Sequence, residues 1–471
     1  MAELVDALDL GSSGEKPWGF KSLYSQGLSM LVYIETLGCQ MNELDSELIK
    51  QQLKKRLYGF TSKAEEADII LINTCSVREL SEQKALSRLG YFRTLKELNN
   101  NLIIGVIGCM AERRKEAIFS NYPYINLLVG PSKIYEIPIL LDNLVNDRYL
   151  KQVALGDKNL GGHELKLGQI DIERATNCDN KKKMYVRITS GCNKFCSYCI
   201  IPRTRGLEVY RNEKSILQEV SDLVSQGVIE ITLLGQTVNH YPNFYSLLKK
   251  IHDYNQNLKR LRFMTNYPRD ISDELLDVMA SSSRICKYLH VPIQSGSNMV
   301  LKNMNRGYTR ESYLDLIRKA RFKMPGISIV GDMIVGFPGE TDKDFEESMS
   351  LVEEVKYRQL YIFKYSARPD TVSFRKMIDD VSLDDKQSRH SRLSVLQQKI
   401  SLDYLQLQLG KSVQVFVEGA VNSKKYISNR LIGRTDGNDT VLFRGSRDLI
   451  GKIVHVRVNY ANSYILGGNL E

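Results

Sequence analysis

Short apolar runs alternate with polar stretches of helical length between Met30 and about Asn146. The runs are LVYIETLGC, ADIILINTC and NLIIGVIGC, and each is rich in β-branched residues, as buried strands are. Lys- and Glu-rich segments separate them. This alternation predicts an N-terminal α/β domain with a parallel sheet over residues 30–147.

A second, longer series of the same kind extends over residues 177–405. Its six apolar runs are YVRITSGC, EITLLGQ, RLRFMT, YLHVPIQSG, SIVGDMIVGFPG and QLYIFKYSARP. Helical patterns such as 213–226 and 309–323 separate most of them. Six strand–helix units predict a partial parallel (β/α)6 barrel with its site at the carboxyl ends of the strands. Residues 148–176, which are polar and Gly-rich, are predicted to be a linker.

The chain ends in short alternating runs, SVQVFVEG, KKYISNRLIGRT, DTVLFRG and KIVHVRVNYA, with TDGN as a hairpin turn signal. A helical stretch over about 379–409 precedes them, and Gly410 is a suitable residue to end it. The pattern predicts a small all-β barrel over residues 406–471.

Charge gives this small barrel a candidate partner. From Lys411 onward it carries nine Lys and Arg against five Asp and Glu, with aromatic residues among them. Small basic barrels of this kind often bind RNA, and Lys424, Lys425 and Arg434 are the candidate contacts. The alternative is a solvated charged face over an aromatic core.

Composition places the chain among soluble globular proteins. Its 471 residues are 42% hydrophobic and 25% charged, with a net charge of +10, so an anionic partner is plausible. No apolar run approaches the roughly 18 residues of a membrane span. The N-terminus has no secretory pattern, so we expect a cytoplasmic protein. Residues 1–29 lack a clear period and are expected to be a non-essential extension or a mis-assigned start.

Each of the three N-terminal apolar runs ends in a cysteine: Cys39, Cys75 and Cys109. The carboxyl ends of parallel strands share one edge of a sheet, where ligands bind. The three thiols are therefore predicted to converge on one site. The alternative is three independent core cysteines. In a reducing compartment, cysteines favour metal binding or catalysis over disulfides.

Three further cysteines lie close together in TSGCNKFCSYCIIP, after the first strand of the predicted barrel: Cys192, Cys196 and Cys199. Three thiolates at this spacing can hold one metal centre. One option is a zinc ion completed by a distant histidine or cysteine. The other is a four-iron cluster that leaves one iron open to a substrate.

The Cys-x3-Cys-x2-Cys spacing, with Tyr198 before the last cysteine, resembles the radical S-adenosylmethionine (SAM) enzymes. Further along, LGCQMNELDSE, NTCSVRELSEQK, GVIGCMAE, LLGQTVNHY, LHVPIQSGSN, MNRGYTRE and DMIVGFPGET resemble the methylthiotransferase family from Met30 to the C-terminus. GCQMN with NTCSVRE is most similar to its MiaB-type, tRNA-modifying branch. The ribosomal-protein branch usually has a lysine in place of Gln40.

This resemblance implies two [4Fe–4S] clusters. The cysteines of the loop would hold the radical SAM cluster, and Cys39, Cys75 and Cys109 an auxiliary cluster. Cys178 and Cys286 would be non-ligands. The small barrel would be TRAM-like.

The implied reaction methylthiolates carbon 2 of N6-isopentenyl adenosine beside the tRNA anticodon. That C–H bond is scarcely acidic, so the cofactors rather than a catalytic side chain would carry the chemistry. One SAM would give a 5′-deoxyadenosyl radical and a second would supply the methyl group. The partners would be tRNA, through its anticodon loop, and an electron donor such as flavodoxin or ferredoxin. The protein is expected to be a monomer.

Polar groups at successive strand ends form the predicted SAM pocket. They are Tyr198, Gln236, Gln294, Ser295 and Asp332, with Gly336 and Gly339 in GFPGE allowing close backbone approach. Arg203 and Arg205 directly follow the cysteine loop, and we expect them to face RNA phosphate or the SAM carboxylate.

Two segments depart from the family pattern. Pro369-Asp370-Thr371 stands where the family often has Pro-Gly-Thr, and Asn266-Tyr267-Pro268 where it often has Ser or Thr before His-Pro. Loss of a glycine restricts the backbone, so the first turn is expected to differ. Two other functions compete: methylthiolation of a ribosomal-protein aspartate, and a non-catalytic metal-bearing RNA-binding protein.

Overall fold

A computed structural model describes residues 30–76, 79–156, 171, 181–421 and 430–471. The predicted extension at 1–29, Cys178, Lys424 and Lys425 lie outside the described residues. None of the helices in this described part combines the length and apolar character needed to cross a membrane.

The N-terminal region forms a six-stranded parallel sheet within the described residues, in the order β2-β1-β3-β4-β5-β6. Its strands are β1 Leu31–Leu37, β2 Gly59–Phe60, β3 Ile69–Thr74, β4 Ile103–Gly108, β5 Leu127–Val129 and β6 Gln152–Ala154. The predicted parallel sheet is confirmed. Strand β6 joins the sheet inside the segment predicted to be a linker from residue 148, because β5 leaves an edge that it pairs with.

Helices cover both faces of this sheet. They are α1 Gln40–Lys54, α2 Glu79–Leu98, α3 Cys109–Arg114, α4 Ala117–Asn121 and α5 Ile137–Asn146. Every residue of β3 and β4 is buried, since α1 and α5 pack on one face and α2 on the other. This two-sided burial explains why these strands are continuous apolar runs rather than alternating ones.

The central region is a partial barrel of six parallel strands in two three-stranded sheets. The strands are β7 Lys183–Arg187, β10 Glu230–Leu234, β11 Arg260–Phe263, β12 Tyr288–His290, β13 Ser328–Val335 and β14 Gln359–Lys364, and a short hairpin, β8 Thr189–Ser190 with β9 Val209–Tyr210, follows β7. An isolated parallel bridge between Leu261 of β11 and Ile285 links the first sheet to the segment that leads into β12. All six predicted barrel strands are confirmed.

Helices surround the barrel strands. They are α6 Ile201–Thr204, α7 Glu213–Ser225, α8 Phe244–Tyr254, α9 Asp273–Ser281, α10 Asn298–Asn303, α11 Arg310–Lys323, α12 Asp342–Val355, α13 Val372–Lys376 and α14 Leu383–Gln406. The long helix α14 begins four residues later and ends three residues earlier than the predicted 379–409. Ser382 caps it by accepting a hydrogen bond from the amide of Asp385.

A closed five-stranded barrel ends the described chain, with strand order β15-β16-β17-β19-β18. Its strands are β15 Ser412–Ala420, β16 Arg430–Arg434, β17 Thr440–Arg444, β18 Ile453–Ala461 and β19 Ile465–Leu470. The predicted TDGN turn joins β16 to β17, with Asn438 at φ +69°. The predicted all-β barrel is therefore confirmed.

Arginines at the amino ends of the central strands attach this small barrel to the core. Arg260 donates to the carbonyl of Arg434 at 2.8 Å, and Arg262 to the carbonyls of Asp436 and Thr435 at 2.7 and 2.6 Å. Part of the chain's positive charge is thus buried in an internal interface.

Candidate functional site

The strands that precede Cys39, Cys75 and Cys109 are neighbours in the N-terminal sheet, and their ends are in register. Leu37 of β1 pairs with Thr74 of β3, which pairs with Gly108 of β4. Cys75 and Cys109 directly follow their strands, and the amide of Cys75 donates to the carbonyl of Leu37 at 3.1 Å. We call these three cysteines the strand-end site.

Hydrogen bonds and burial act on the strand-end thiols in opposite directions. A hydrogen bond with Cys75 lowers the pKa of Cys39 to about 6, with further help from the positive charge of Arg205. Burial raises the pKa of Cys109, against the same arginine. Thiolates are the form that binds iron, and Arg205 favours that form at both positions.

Buried asparagines fix the turns around the strand-end site. The side-chain amide of Asn42 donates to Asn73 Oδ1 at 2.9 Å, and the side-chain amide of Asn73 donates to the backbone carbonyl of Asn42 at 2.9 Å. Gly108 has φ +89°, and a side chain there would collide with Asn73. The sequence analysis did not single out these asparagines. They lie in the motifs GCQMN and NTC, so their position close to the cysteines is the sequence feature that could have identified them.

The second set of cysteines, Cys192, Cys196 and Cys199, forms one loop after β8, and we call it the loop site. The Cys192 amide donates to the Gly206 carbonyl at 3.2 Å, and the Cys199 amide to the Cys196 carbonyl at 3.0 Å. Burial raises the pKa of Cys192, and that of Cys199 to about 12. A bound metal overcomes such a shift because it deprotonates a coordinating thiol outright.

Arg306 is a loop-site residue that the sequence did not single out. Its guanidinium donates to Cys196 Sγ at 3.1 Å and to the Pro292 carbonyl at 3.3 Å. It also lies over the rings of Tyr267 and Tyr308, at 4.6 and 5.1 Å from their centroids. The motif MNRGYTRE contains this arginine, but its partners come from distant segments.

The donor sets fit iron–sulfur clusters in chemistry, since each site offers three cysteine sulfurs beside an arginine, buried Arg205 at the strand-end site and partly buried Arg306 at the loop site. Across the described residues, no three His, Cys, Asp or Glu side chains form a group that could hold one metal ion. A four-iron cluster differs because each thiolate binds its own iron.

Comparison with known proteins shows the family to which the chain belongs. The Radical SAM superfamily profile matches residues 186–352, an uncharacterized protein family (UPF0004) matches 31–130, and the TRAM domain matches 406–470. A tRNA-2-methylthio-N(6)-dimethylallyladenosine synthase from Thermoanaerobacter sp. (strain X514) is 42% identical over 95% of this chain and 94% of its own length. One from Clostridium botulinum (strain Hall) is 41% identical over 93% and 96%. The chain belongs to this synthase family.

Two solved radical SAM enzymes share the fold. The methyltransferase TsrM from Kitasatospora setae, with cobalamin and a [4Fe–4S] cluster bound, has a TM-score of 0.53 at 14% identity, covering 74% of this chain and 77% of that chain. OxsB, with aqua-cobalamin and SAM bound, has a TM-score of 0.50 at 15% identity, covering 78% and 57%. Membership of the radical SAM superfamily implies a [4Fe–4S] cluster and SAM for this chain.

Unsatisfied polar atoms mark the carboxyl end of the barrel in this synthase-family member. Gln236 Oε1, Asn266 Oδ1 and both ring nitrogens of His290 are buried without a hydrogen-bond partner within the described protein. His290 Nε2 lies 3.3 Å from an Asp332 carboxylate oxygen, but not in hydrogen-bond geometry. Buried polar atoms are normally paired, so these positions fit a polar ligand such as SAM.

Gln294 and Ser295 lie between β12 and α10 with different surroundings. Gln294 bridges to β13, since its amide donates to the Asp332 carbonyl at 2.9 Å and its φ is +78°. Ser295 is 1% exposed, and its hydroxyl is 3.2 Å from the Ser297 amide and 3.4 Å from Ser348 Oγ. The hydroxyl of Ser295 thus has partners within the protein, and its predicted contact with SAM stays a prediction.

The two glycines of GFPGE have different surroundings, and their predicted close approach to SAM stays a prediction. A side chain at Gly336, with φ +70°, would collide with Lys386 of α14. Gly339 has φ +80° and donates its amide to Asp380 Oδ1 at 2.7 Å. Glu340 accepts from the amides of Gly336 and Phe337, so this turn is held by its own carboxylate.

Tyr198 lies in the loop site between two of its cysteines. Its ring meets Phe337 edge-on at 6.3 Å, and burial raises its pKa. The predicted role of Tyr198 near SAM stays a prediction, and its ring forms one wall of the loop site.

The arginines that follow the loop site have different environments. Arg203 is exposed, as a contact to RNA requires. Arg205 is 7% exposed, with its guanidinium 2.8 Å from Asp45 of α1. Its buried side chain is already bound by a carboxylate, which disfavours the expected contact with RNA phosphate. The alternative contact with the SAM carboxylate stays a prediction. Arg434 in β16 is 3.3 Å from Glu418 and partly exposed.

Cys286 lies just before β12, at the amino end of the barrel strands and opposite the loop site. It is 2% exposed, and burial raises its pKa well above the usual value. This position is consistent with the predicted non-ligand role.

Proposed function

We propose that the protein methylthiolates carbon 2 of N6-isopentenyl (dimethylallyl) adenosine next to the tRNA anticodon. The observation that carries this proposal is the pair of three-cysteine sites in a chain that is 42% identical to a synthase of this name over 95% of its length. The substrate, the second cluster and the partners below belong to the same proposal.

The proposal assigns one four-iron cluster to each cysteine site. With SAM bound, the loop-site cluster supplies radical chemistry that side chains cannot perform. The cysteines of both sites bind iron as thiolates, and Arg306 orients Cys196 through its hydrogen bond. Asn42 and Asn73 keep the strand-end turns in place, which holds the second set of thiolates at a fixed edge.

The mouth of the barrel orients SAM and the target base. Gln236, Asn266 and His290 offer buried polar atoms that need partners, and Asp332 adds a carboxylate at 22% side-chain exposure. These groups can hold amino, hydroxyl or ring-nitrogen atoms by hydrogen bonds. Walls of buried apolar side chains exclude water, as radical chemistry requires.

The tRNA contacts are assigned to basic residues, of which Arg203 is exposed and Arg434 partly exposed. Arg203 lies beside the loop site and Arg434 on the small barrel, and Lys424 and Lys425 remain sequence-based candidates. Affinity for tRNA should fall steeply with salt, because bound phosphates release counterions. A single-stranded anticodon loop also costs less to unstack than a duplex. An electron donor such as flavodoxin or ferredoxin and a monomeric state complete the proposal.

Mass analysis of tRNA nucleosides tests the function directly. A deletion strain should accumulate N6-isopentenyl adenosine without its 2-methylthio form, and the full chain should restore it. Purified anaerobic protein should hold about eight irons, two four-iron clusters. A normal tRNA profile with loss of a methylthiolated ribosomal-protein aspartate would instead support the ribosomal-protein function.

A further inference from the structure

Arg205 connects the two cysteine sites physically. Its backbone helps to hold the loop site. The Arg205 amide donates to the Ile201 carbonyl at 2.8 Å, and the carbonyl of the next residue, Gly206, accepts from the Cys192 amide at 3.2 Å. Its side chain extends away from that loop into the N-terminal domain.

The guanidinium of Arg205 lies among the strand-end thiols. Its side chain is 2% exposed, with Nη2 2.8 Å from Asp45 Oδ2. Its charge favours the thiolate forms of Cys109 and Cys39 by lowering their pKa values. A buried positive charge, fixed on Asp45 of α1, therefore acts on two of the three proposed ligands.

Asp45 forms ion pairs with two arginines, Arg205 and Arg187. Its other oxygen is 3.4 Å from Nη1 of Arg187, which also pairs with Asp171 at 2.9 Å. Arg211 extends the network, 3.5 Å from Asp171. Because Asp45 is shared between two arginines, part of the Arg205 charge remains available to the thiolates.

We propose that Arg205 is a positioning residue that sets the reduction potential of the strand-end cluster. Reduction adds a negative charge to a cluster, and a cation in a buried setting stabilises that charge more strongly than one in water. Groups around the ligands tune a metal centre in this way. The inference rests on the proposed second cluster.

The test uses the full chain with Cys192, Cys196 and Cys199 all changed to Ala, so that only the strand-end cluster is present. After anaerobic reconstitution, its midpoint potential is measured by redox titration followed by electron paramagnetic resonance. Arg205→Gln should make the potential more negative. Arg205→Lys, which keeps the charge, should shift it less.

Two further variants make the sign of the effect decisive. Arg203→Gln removes an exposed charge two residues away and should leave the potential unchanged. Asp45→Asn removes a buried negative charge and should make the potential more positive. Opposite shifts of the midpoint potential in Arg205→Gln and Asp45→Asn would show that charge causes the effect. A general loosening of the site would shift the potential in the same direction in both variants.

Each result separates this inference from the function above. A triple-alanine chain that binds no iron overturns the two-cluster proposal and this inference with it. Bound iron with the same potential in Arg205→Gln and Arg203→Gln overturns the inference alone. If Arg205→Gln cannot hold a cluster, Asp45→Asn decides, since an unchanged or more negative potential there contradicts the electrostatic role.

Discussion

The loop site takes its cysteines from one short stretch of chain, whereas the strand-end site takes them from three neighbouring strands. The loop is held by backbone bonds of its own and by bonds to distant segments, such as the Ser373 amide of α13 donating to the Ser197 carbonyl at 2.8 Å. The strand-end site depends on strand register and on ion pairs with the barrel domain. The same ligand set thus comes from one continuous segment in one case and from three separate segments in the other.

The largest expected effects come from removing a ligand at either site. Cys109→Ala and Cys192→Ala should each reduce iron from about eight to about four per chain and abolish the 2-methylthio product. Only Cys109→Ala should still cleave SAM reductively, because the loop-site cluster remains. Iron analysis and chromatography of 5′-deoxyadenosine measure the two outcomes.

Cys286→Ser is the control for both cysteine variants, since Cys286 lies at the other end of the barrel. It should keep the full iron content and the product. A Cys109→Ala protein that still makes normal amounts of methylthio product would disprove the proposed role of the strand-end site.

The second prediction concerns the ion pairs behind the strand-end site. Arg187→Met leaves Asp45 and Asp171 buried with fewer partners and should destabilise the protein by about 3–5 kcal/mol. The strand-end cluster should be lost on mild chelation before the loop-site cluster. Urea unfolding and iron release measure these effects.

Arg93→Met is a matched control, because the Arg93–Glu97 pair is 65% and 61% exposed. It should cost less than about 1 kcal/mol. Equal effects of the two variants, or earlier loss of the loop-site cluster, would contradict the tertiary origin of the strand-end site.

The two sites also differ in how far the sequence predicts them. Spacing alone identifies the loop site, and hydrophobic runs ending in cysteine predict the strand-end site because parallel strands share an edge. The partners of Arg205 and Arg306 could not be predicted, since a sequence shows a charge but not the distant group that meets it. Arg203 and Arg205 are two residues apart, yet only tertiary packing makes one exposed and the other buried.

The third prediction uses the buried carboxyl group beside each site. Asp45 is bound by two arginines, whereas burial raises the pKa of Glu340 to about 7 from 4.5, with Arg389 3.6 Å away. Folded protein therefore binds the Glu340 proton more tightly than unfolded protein, and this contribution to stability is lost as pH rises from 4.5 to about 7.

Glu340→Gln should remove that part of the pH dependence. The free energy of unfolding of the variant, minus that of the unmodified protein, should be larger at pH 8 than at pH 5. Anaerobic urea unfolding at the two pH values measures this difference. Glu346→Gln, at an exposed position of α12, is the control and should show no such trend. A parallel pH profile for Glu340→Gln would show that Glu340 is ionised in the folded protein at both pH values.

The smallest expected effect lies in the turn that supports the loop site, where Asp370 replaces the family's glycine. Asp370 has φ +72°, a left-handed conformation that aspartate tolerates better than most residues. Whether the turn differs from that of the glycine-bearing relatives stays a prediction. Asp370→Gly should alter the free energy of unfolding by less than about 1 kcal/mol, while Asp370→Val should cost about 1–2 kcal/mol. Urea unfolding compares them. Equal stability of the two variants would mean that the turn does not require a left-handed residue at position 370. The backbone bonds of the cysteine loop would then hold the loop site without help from this turn.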